Sequence, residues 1–481
     1  MAEKDRIKTA ELIFLIILTA FIILFRAQAA HMPLDVNEGS HAYAAARVSQ
    51  GVVPYKQVFE HAPPVMIYVY KAAFMFFGQS VEAVRNFTTM YVIAVMLSLF
   101  MLARVLWRSA FVSMLAVFFY VLYQHSLIFQ GMSANAAIFA QLPVILSILF
   151  AIDREKKYEA VSFCASGFFA ATALLTDIMT VFFALVPIIY ALFYSGKKPL
   201  NSIAWFIAGY IALLASAAGW AFYNHAVYDI YTSVISFNIA ALKTAVKGMT
   251  LGDFIAANIV PFIAFLYAVW KAIRNNKDGN NFILVFTAAA LYAAVFMAKG
   301  AQPHYYMALI PAAAILCASM VFDMYALLNS EKEARPYAWI ILAMFLVLNT
   351  AVVSGANRLG LFMKSGMYTD SRYYEQRAMA HTIIMSSENK EIKENFIFAW
   401  PDMPAVYFTA GVKAATRYAY AYPLDVFTQD KQTVLDTLFQ GRPSWVVMQR
   451  GTYSSYQAFL DNYYAKAAET KNLVLYRNIL F

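Results

Sequence analysis

Apolar runs broken by short polar punctuation fill the first three quarters of the chain. The runs recur at about 20 residues, the length a helix needs to cross a bilayer. Eleven of them lie near 12–31, 84–106, 109–125, 134–152, 159–175, 178–194, 200–222, 254–272, 281–298, 304–326 and 337–355. The pattern predicts an α-helical polytopic membrane protein of about 11 transmembrane helices. The first run has no small-residue cleavage pattern and is long enough to span, so it reads as a retained helix.

The polar punctuation assigns sides. "MAEKDRIK", "RVLWR", "DREKK", "SGKKP", "WKAIRNNK" and "NSEKEARP" each hold two or three Lys or Arg. The alternate connections, "YQHSLIFQGMSAN" and the turn at Thr176–Asp177, hold none. Positive residues stay on the cytoplasmic side. The N-terminus is therefore expected inside, with the loop 32–83 and everything after about 356 outside. The two shortest runs, 159–175 and 178–194, have basic residues on both flanks (Lys156, Lys157 and Lys197, Lys198). An even number of crossings is expected between them.

The outer loop 32–83 has its own pattern. Asn37 to Gln50 reads as a helix stopped by Gly51, and "PPVMIYVYKAAFMFFG" reads as a second helix. The second is too short to span and carries Lys71, which suits a helix lying in the membrane interface. The connection from Tyr223 to Asp253 has room for short helices as well. Beyond about 356 the apolar runs shorten. "NFIFAW", "SWVVM" and "LVLYRN" read as buried strands, Tyr373 to Glu388 as a helix, and "SYQAFLDNYYAKAAE" as another helix carrying Asn462. The expected division is a transmembrane domain over 1–355, including the outer loop, and an extracytoplasmic α/β domain over 356–481.

Composition supports the membrane reading, with 62% hydrophobic and 14% charged residues. The net charge of +9 is explained by the cytoplasmic loops, and no nucleic-acid partner is expected. Cys164 and Cys317 both lie in apolar runs, so neither a disulfide framework nor redox chemistry is expected. There is no Gly-rich phosphate loop, CxxC or HExxH, and no organic cofactor is expected.

Chemistry gathers instead at one membrane face. "DVNEGSHAYAAARVSQGVVPYKQVFEHAPP" carries Asp35, Glu38, His41, Glu60 and His61 directly after the first span. Arg26, Arg85, Asp177, Lys299 and His304 fall near the outer ends of their runs, and none sits at mid-depth as a proton or ion path would require. Each has a structural reading too. Asp35 and Glu38 have the spacing of a capping box. Glu60 and His61 suit a solvated loop, and Arg85 suits snorkelling to head groups. His304 suits a helix start beside an aromatic belt of Tyr305 and Tyr306. Lys243, Lys247 and Lys299 suit contact with lipid head groups, and Asp402, Arg417 and Asp425 suit structural or acceptor-facing roles in the tail.

Several stretches together resemble the GT-C glycosyltransferases, in the branch of bacterial relatives of protein O-mannosyltransferases and lipid A aminoarabinose transferases. They are "DVNEGSHAYAAARVSQGVVPY", "FEHAPPVMIY", "VRNF", "QPHYYMALIPAAAIL" and "IFAWPDMPAVYFTAGVKAATRYAYAYPL", in that order along the chain. The resemblance implies inverting transfer of a sugar from a polyprenyl-phosphate donor to a hydroxyl of a glycan, glycolipid or protein at the outer leaflet. It implies Asp35 as general base and Glu60 as the second catalytic acid. Arg85, His304 and Tyr305 match positions near the lipid phosphate, with Lys243 and Lys299 as further candidates. A divalent metal at Glu60 and His61 is left open by the resemblance. Two departures bear on donor subclass: Ala137 stands where many relatives carry an acid, and Asp177 where many carry Lys.

A departing polyprenyl phosphate calls for a base and positive charge, not a nucleotide clamp. The alternative is a lipid or lipid-linked-sugar flippase with an accessory outer domain. Such transporters show internal repeats and polar residues at the midplane, and neither is present here. The implied location is the bacterial inner membrane, with lipids as neighbours and the site facing outward.

Overall fold

The structure, a computed structural model, describes residues 8–125, 130–152, 158–194, 199–243, 259–274, 279–297, 303–330, 371–387, 396–427, 430–451 and 457–479. Helices α1 (Thr9–Ala27), α2 (Val36–Ser49), α3 (Pro64–Phe77), α4 (Val81–Trp107), α5 (Ala110–Gln124), α6 (Ala136–Ala151), α7 (Glu159–Thr176), α8 (Leu185–Tyr194) and α9 (Pro199–Tyr223) follow in order. Later helices include Ile259–Arg274, Gly279–Met297 and Ile310–Ser330. Ten of the eleven apolar runs thus meet helix, and the eleventh, 337–355, lies outside the described residues. Among the described residues, five helices are long and apolar enough to cross a membrane: Thr9–Ala27, Val81–Trp107, Glu159–Thr176, Pro199–Tyr223 and His304–Leu327. The fold is an α-helical polytopic membrane fold with a small C-terminal sheet.

The chain forms two compact units. The first comprises 1–29, 88–217 and 245–362. Its core joins Leu15 and Ile22 of α1, Val92, Val95 and Leu99 of α4, Val117 and Tyr120 of α5, and Ile315 and Met320 of Ile310–Ser330. Close helix packing here depends on small residues, as is usual where lipid removes most of the hydrophobic driving force. A Cβ at Gly167 on α7 would lie 1.9 Å from the Phe206 carbonyl of α9, and one at Gly209 would lie 1.9 Å from that of Cys164. Both cysteines are free.

The second unit comprises 30–87, 218–244 and 363–481. The loop after α1 thus clusters with the tail rather than with the spans. α2 ends where Gly51 takes φ 86°, the left-handed conformation that stops the helix. A Cβ at Gly39 would meet the Ala405 backbone N at 2.7 Å, so α2 can lie against the helix Pro404–Ala410 only with glycine there. α3 begins at Pro64 and has 14 residues, about 21 Å of helix, short of the roughly 30 Å hydrocarbon core. Its C-terminal end exposes Met75, Phe76 and Phe77.

The sheet runs β2-β1-β3-β5-β4, from β1 (Phe396–Trp400), β2 (Lys413–Ala414), β3 (Trp445–Gln449), β4 (Tyr464–Glu469) and β5 (Leu473–Asn478). β1 is parallel to β2 and β3, while β5 is antiparallel to β3 and β4. Three of these strands are the buried ones expected from sequence, and the expected helix appears as Ser371–Ser387. One expectation is corrected. "SYQAFLDNYYAKAAE" is not one helix: Gln457–Tyr463 is helical, and Tyr464–Glu469 is the edge strand β4. Ala, Lys and Glu favour helix locally, but pairing with β5 overrides that preference, as edge strands with an exposed face allow.

Candidate active site

α2 starts at the acid that follows the first span. Asp35 is its N-cap in extended conformation, and its Oδ1 accepts from the Glu38 N–H at 2.7 Å. Glu38 Oε2 accepts in return from the Asp35 N–H at 3.0 Å, which completes a capping box. The structural reading of the pair therefore holds. It leaves Asp35 with a second oxygen, Oδ2, that no hydrogen bond among the described residues engages, on a side chain that is only half buried.

Glu38 has a further task. Its carboxylate takes the Arg85 guanidinium in a two-pronged buried ion pair, with Nη2 donating to Oε2 at 2.8 Å. Arg85 Nη2 also donates to the Pro33 carbonyl at 3.0 Å. Arg85, at the start of α4, thus fixes the entry of α2, and its charge is matched by Glu38.

One and a half turns further along α2, Ser40 and His41 meet Glu60. Ser40 Oγ donates to Glu60 Oε2 at 3.0 Å, and His41 Nδ1 lies 3.0 Å from the same oxygen. The His41 contact is an ion pair by distance but is not aligned as a hydrogen bond. Glu60 Oε1 accepts from the Ala62 N–H at 2.9 Å and lies 3.3 Å from His61 Nδ1. The Glu60 side chain is 0% exposed. All four of its contacts bring positive or donor groups, so both oxygens are committed.

His61 is fixed from three directions. Its Nδ1 is 2.9 Å from the Tyr420 hydroxyl, its carbonyl accepts from Asn238 Nδ2 at 2.9 Å, and Phe237 packs tilted against the ring at 5.9 Å. Next to it, Phe59 lies between Phe237 and Tyr418, and the Phe59 N–H donates to the Arg417 carbonyl at 2.8 Å. Loop, 218–244 segment and tail therefore interlock within this unit.

Electrostatics separate the four titratable groups. Burial and the Glu38 carboxylate raise Asp35 to about 7, against the Glu38 N–H, Arg85 and His41. Burial works against the Glu60 charge too, but His41, His61 and the Ala62 N–H outweigh it and hold the carboxyl at about 2. Burial would discharge His41, yet Glu60 prevails and raises it. His61 is pushed down to about 4 by burial, with Glu60 opposing and His41 assisting. At neutral pH the arrangement is an ionised Glu60, a neutral His61, a His41 shifted toward its charged form and an Asp35 close to its titration point.

The cluster does not fit a cation. Glu60 and His61 face each other rather than a common point, and every Glu60 oxygen already meets two groups. Among the described residues no three His, Cys, Asp or Glu are arranged to hold a metal ion.

Asp35, Glu60, His61 and Arg85 therefore meet in one unit. His304 and Tyr305 pair with each other in the other unit, with ring centroids 4.7 Å apart, and His304 Nδ1 lies 3.1 Å from Gln130 Oε1. Lys299 lies outside the described residues, as does the side chain of Lys243 at the end of the helix Phe237–Lys243. Asp402 accepts from the Ala421 and Tyr422 N–H groups at 3.0 and 3.3 Å, which ties it to the start of the helix Tyr422–Val426. The sequence reading assigned no role to Ser40, His41, Asn238 or Tyr420. Only His41 carried a signal, three residues after Glu38 on the same helical face.

No family model and no curated protein matches the chain. Solved structures do match in fold. ArnT from Cupriavidus metallidurans bound to undecaprenyl phosphate superimposes with TM-score 0.60 at 14% identity, over 98% of this chain and 99% of that one. Its apo state gives TM-score 0.63 at 14% identity over the same shares. The archaeal oligosaccharyltransferase AglB from Archaeoglobus fulgidus, in complex with an inhibitory peptide and a dolichol-phosphate, gives TM-score 0.56 at 12% identity, over 98% of this chain and 74% of that one. The chain has the fold of the GT-C glycosyltransferases.

Proposed function

We propose that the protein is an integral-membrane glycosyltransferase that moves a sugar from a polyprenyl-phosphate donor to a hydroxyl of a cell-envelope glycan, glycolipid or protein, with inversion. The observation that carries the reading is the state of Asp35. One of its oxygens anchors α2, the other makes no hydrogen bond among the described residues, the side chain is half buried, and its carboxyl is raised to about 7. A general base works best with its pKa near the working pH and with a lone pair free for the substrate.

In the proposed step the acceptor hydroxyl gives its proton to Asp35 Oδ2 as its oxygen bonds to the anomeric carbon. The bond from that carbon to the phosphate oxygen breaks, and polyprenyl phosphate leaves with the electron pair. Glu60 is not a second base in this scheme, because it is fully buried and each of its oxygens already accepts one hydrogen bond and faces one histidine. Its catalytic contribution is to keep His41 charged and His61 oriented. Positive charge for the departing phosphate is proposed from His304 with Tyr305, which the family resemblance singles out along with Arg85, and from Lys243 and Lys299. Arg85 is the least available of them, being matched by Glu38. The proposed setting is the extracytoplasmic face of the inner membrane.

The test is transfer by purified full-length protein from a panel of undecaprenyl-phosphate sugars to envelope glycolipid and protein acceptors. Transfer with inverted anomeric configuration by the wild type, lost in Asp35→Asn, supports the reading. Retained configuration, full activity in the variant, or lipid translocation without transfer overturns it.

A further inference from the structure

The segment that carries His304 and Tyr305 has a gap in its own hydrogen bonding. Pro303–Leu309 is a 3-10 helix that runs into the helix Ile310–Ser330. Pro311 has no N–H to return to the Met307 carbonyl four residues earlier. That leaves a buried acceptor open to an outside donor, and within a span only protein can supply one. The donor is Gln141 of α6, whose Nε2 reaches the Met307 carbonyl at 2.7 Å. Both residues are fully buried.

Gln141 is itself held on both sides. Its Nε2 also donates to Gln124 Oε1 at 2.9 Å, and its Oε1 accepts from the Tyr120 hydroxyl at 3.0 Å. Both amide hydrogens are thereby used. The neighbour of His304 is fixed as well. Gln130 Oε1 lies 3.1 Å from His304 Nδ1, and the Gln130 carbonyl accepts from the Ser133 N–H and Oγ at 3.0 and 2.8 Å. A Cβ at Gly131 would lie 1.8 Å from the Gln124 carbonyl and 3.4 Å from the Met307 methyl, so this turn sits directly on the end of α5. Arg26 holds the same turn through the Gly131 and Met132 carbonyls. One side of His304 is therefore tied to α1 and α5, and its own segment is tied to α6 through Gln141.

We infer that Gln141 is a positioning residue for the donor phosphate: by tying the Met307 carbonyl to α6 it sets where His304 and Tyr305 stand against the Gln130 turn. Hydrogen bonds between membrane helices contribute little stability on average, so stability alone does not call for a buried glutamine with three of them. Polar side chains within spans are costly and mark function. A satisfied buried amide also holds its partners in one arrangement, which is what a phosphate-holding segment needs. The inference rests on the reading that His304 with Tyr305 meets the donor phosphate.

The experiment titrates purified full-length protein in detergent with undecaprenyl phosphate and with undecaprenol, read by native mass spectrometry. The ratio of the two affinities isolates the phosphate. His304→Gln should lower that preference roughly five- to tenfold, the worth of one hydrogen bond, and Gln141→Leu by a similar factor. The double variant should lose no more than either single one, because both act through the same group. Undecaprenol should bind all of them equally. Pro311→Ala returns an N–H to the Met307 carbonyl. Added to Gln141→Leu it should recover the thermal midpoint but not the phosphate preference, since the tie to α6 stays cut; it also supplies a folded protein should Gln141→Leu alone not fold. An unchanged preference in Gln141→Leu, losses that multiply in the double variant, or recovery of the preference by Pro311→Ala would each overturn the inference alone. Intact preference in His304→Gln would instead remove the phosphate role of His304, and with it the premise. No preference in the wild type would sink the polyprenyl-phosphate reading itself.

Discussion

The two units handle buried charge in opposite ways. In the membrane-spanning unit, Arg26 and Asp323 are tied to fixed partners of the scaffold. Arg26 donates to the Gly131 and Met132 carbonyls at 2.8 and 3.3 Å and to Thr89 at 3.2 Å. Asp323 takes both Lys271 and the Tyr267 hydroxyl, while Glu11 meets Arg104 only as an ion pair at 3.5 Å. In the other unit, Asp35, Glu38, His41, Glu60, His61 and Arg85 are tied mainly to one another. A charge matched by backbone carbonyls is finished business, because nothing more is asked of it. A cluster of titratable groups that set each other's protonation leaves some lone pairs uncommitted, and those are where chemistry can occur. The contrast teaches that Asp35 matters for its free oxygen and Glu60 for having none.

The sharpest way to break this contrast is Asp35→Asn. Asn caps a helix about as well as Asp, so the fold should survive with a cost below about 1 kcal/mol. Transfer should fall roughly 10²- to 10⁴-fold, the usual worth of a positioned general base. Wild-type rates in the variant would make Asp35 a cap and nothing else. Next in size is Glu38→Ala, which leaves the Arg85 guanidinium buried without its carboxylate. The expected cost is about 3–5 kcal/mol of stability, read as a large drop in the thermal midpoint in detergent. The double replacement Glu38→Met with Arg85→Met should recover much of it, since a matched apolar pair carries no stranded charge. If the single variant is as stable as the wild type, the ion pair is not what fixes the entry of α2.

Much of this was legible in the chain, and the reasons differ by element. The capping box could be read because Asp35 and Glu38 are three residues apart and local geometry does the rest. Apolar runs gave the spanning helices, and short β-rich runs gave β1, β3 and β5. β4 was missed because its residues favour helix and only pairing with β5 makes them a strand. Glu60 was singled out, but its commitment to Ser40 and His41 was not, since 20 positions of chain, half helix and half loop, separate Ser40 from Glu60. Tyr420 was beyond reach altogether: its hydrogen bond to His61 closes 359 residues of chain. Sequence periodicity reports which face of an element is buried, and it carries no signal for which distant side chain will meet it.

A smaller effect concerns pH. Asp35 raised to about 7 is protonated, and idle as a base, below that value. The sign is therefore fixed: kcat/KM should rise about tenfold per unit up to near pH 7 and then level off. Glu60, held at about 2, contributes nothing to the profile in that range. His41→Gln removes a positive charge that favours the ionised Asp35, so the break should move upward. An unmoved break, or a profile flat from pH 5 to 8, would detach the activity from Asp35.

The smallest effect is expected in the membrane-spanning unit. Asp323 joins Lys271 at 2.7 Å, with the two side chains 22% and 25% exposed. Solvent reaches both partners, so the pair resembles a surface salt bridge, worth at most about 1 kcal/mol. Asp323→Asn keeps an oxygen for Lys271 and for the Tyr267 hydroxyl, and should change the thermal midpoint little and transfer not at all. The outcome matters because it is the control for Asp35→Asn. The same chemical change, carboxylate to amide, is made once where the carboxylate is bound to fixed partners and once where an oxygen is free. Equal losses of transfer at both positions would mean that any lost charge disables the protein, and the distinction between the two units would have no functional content.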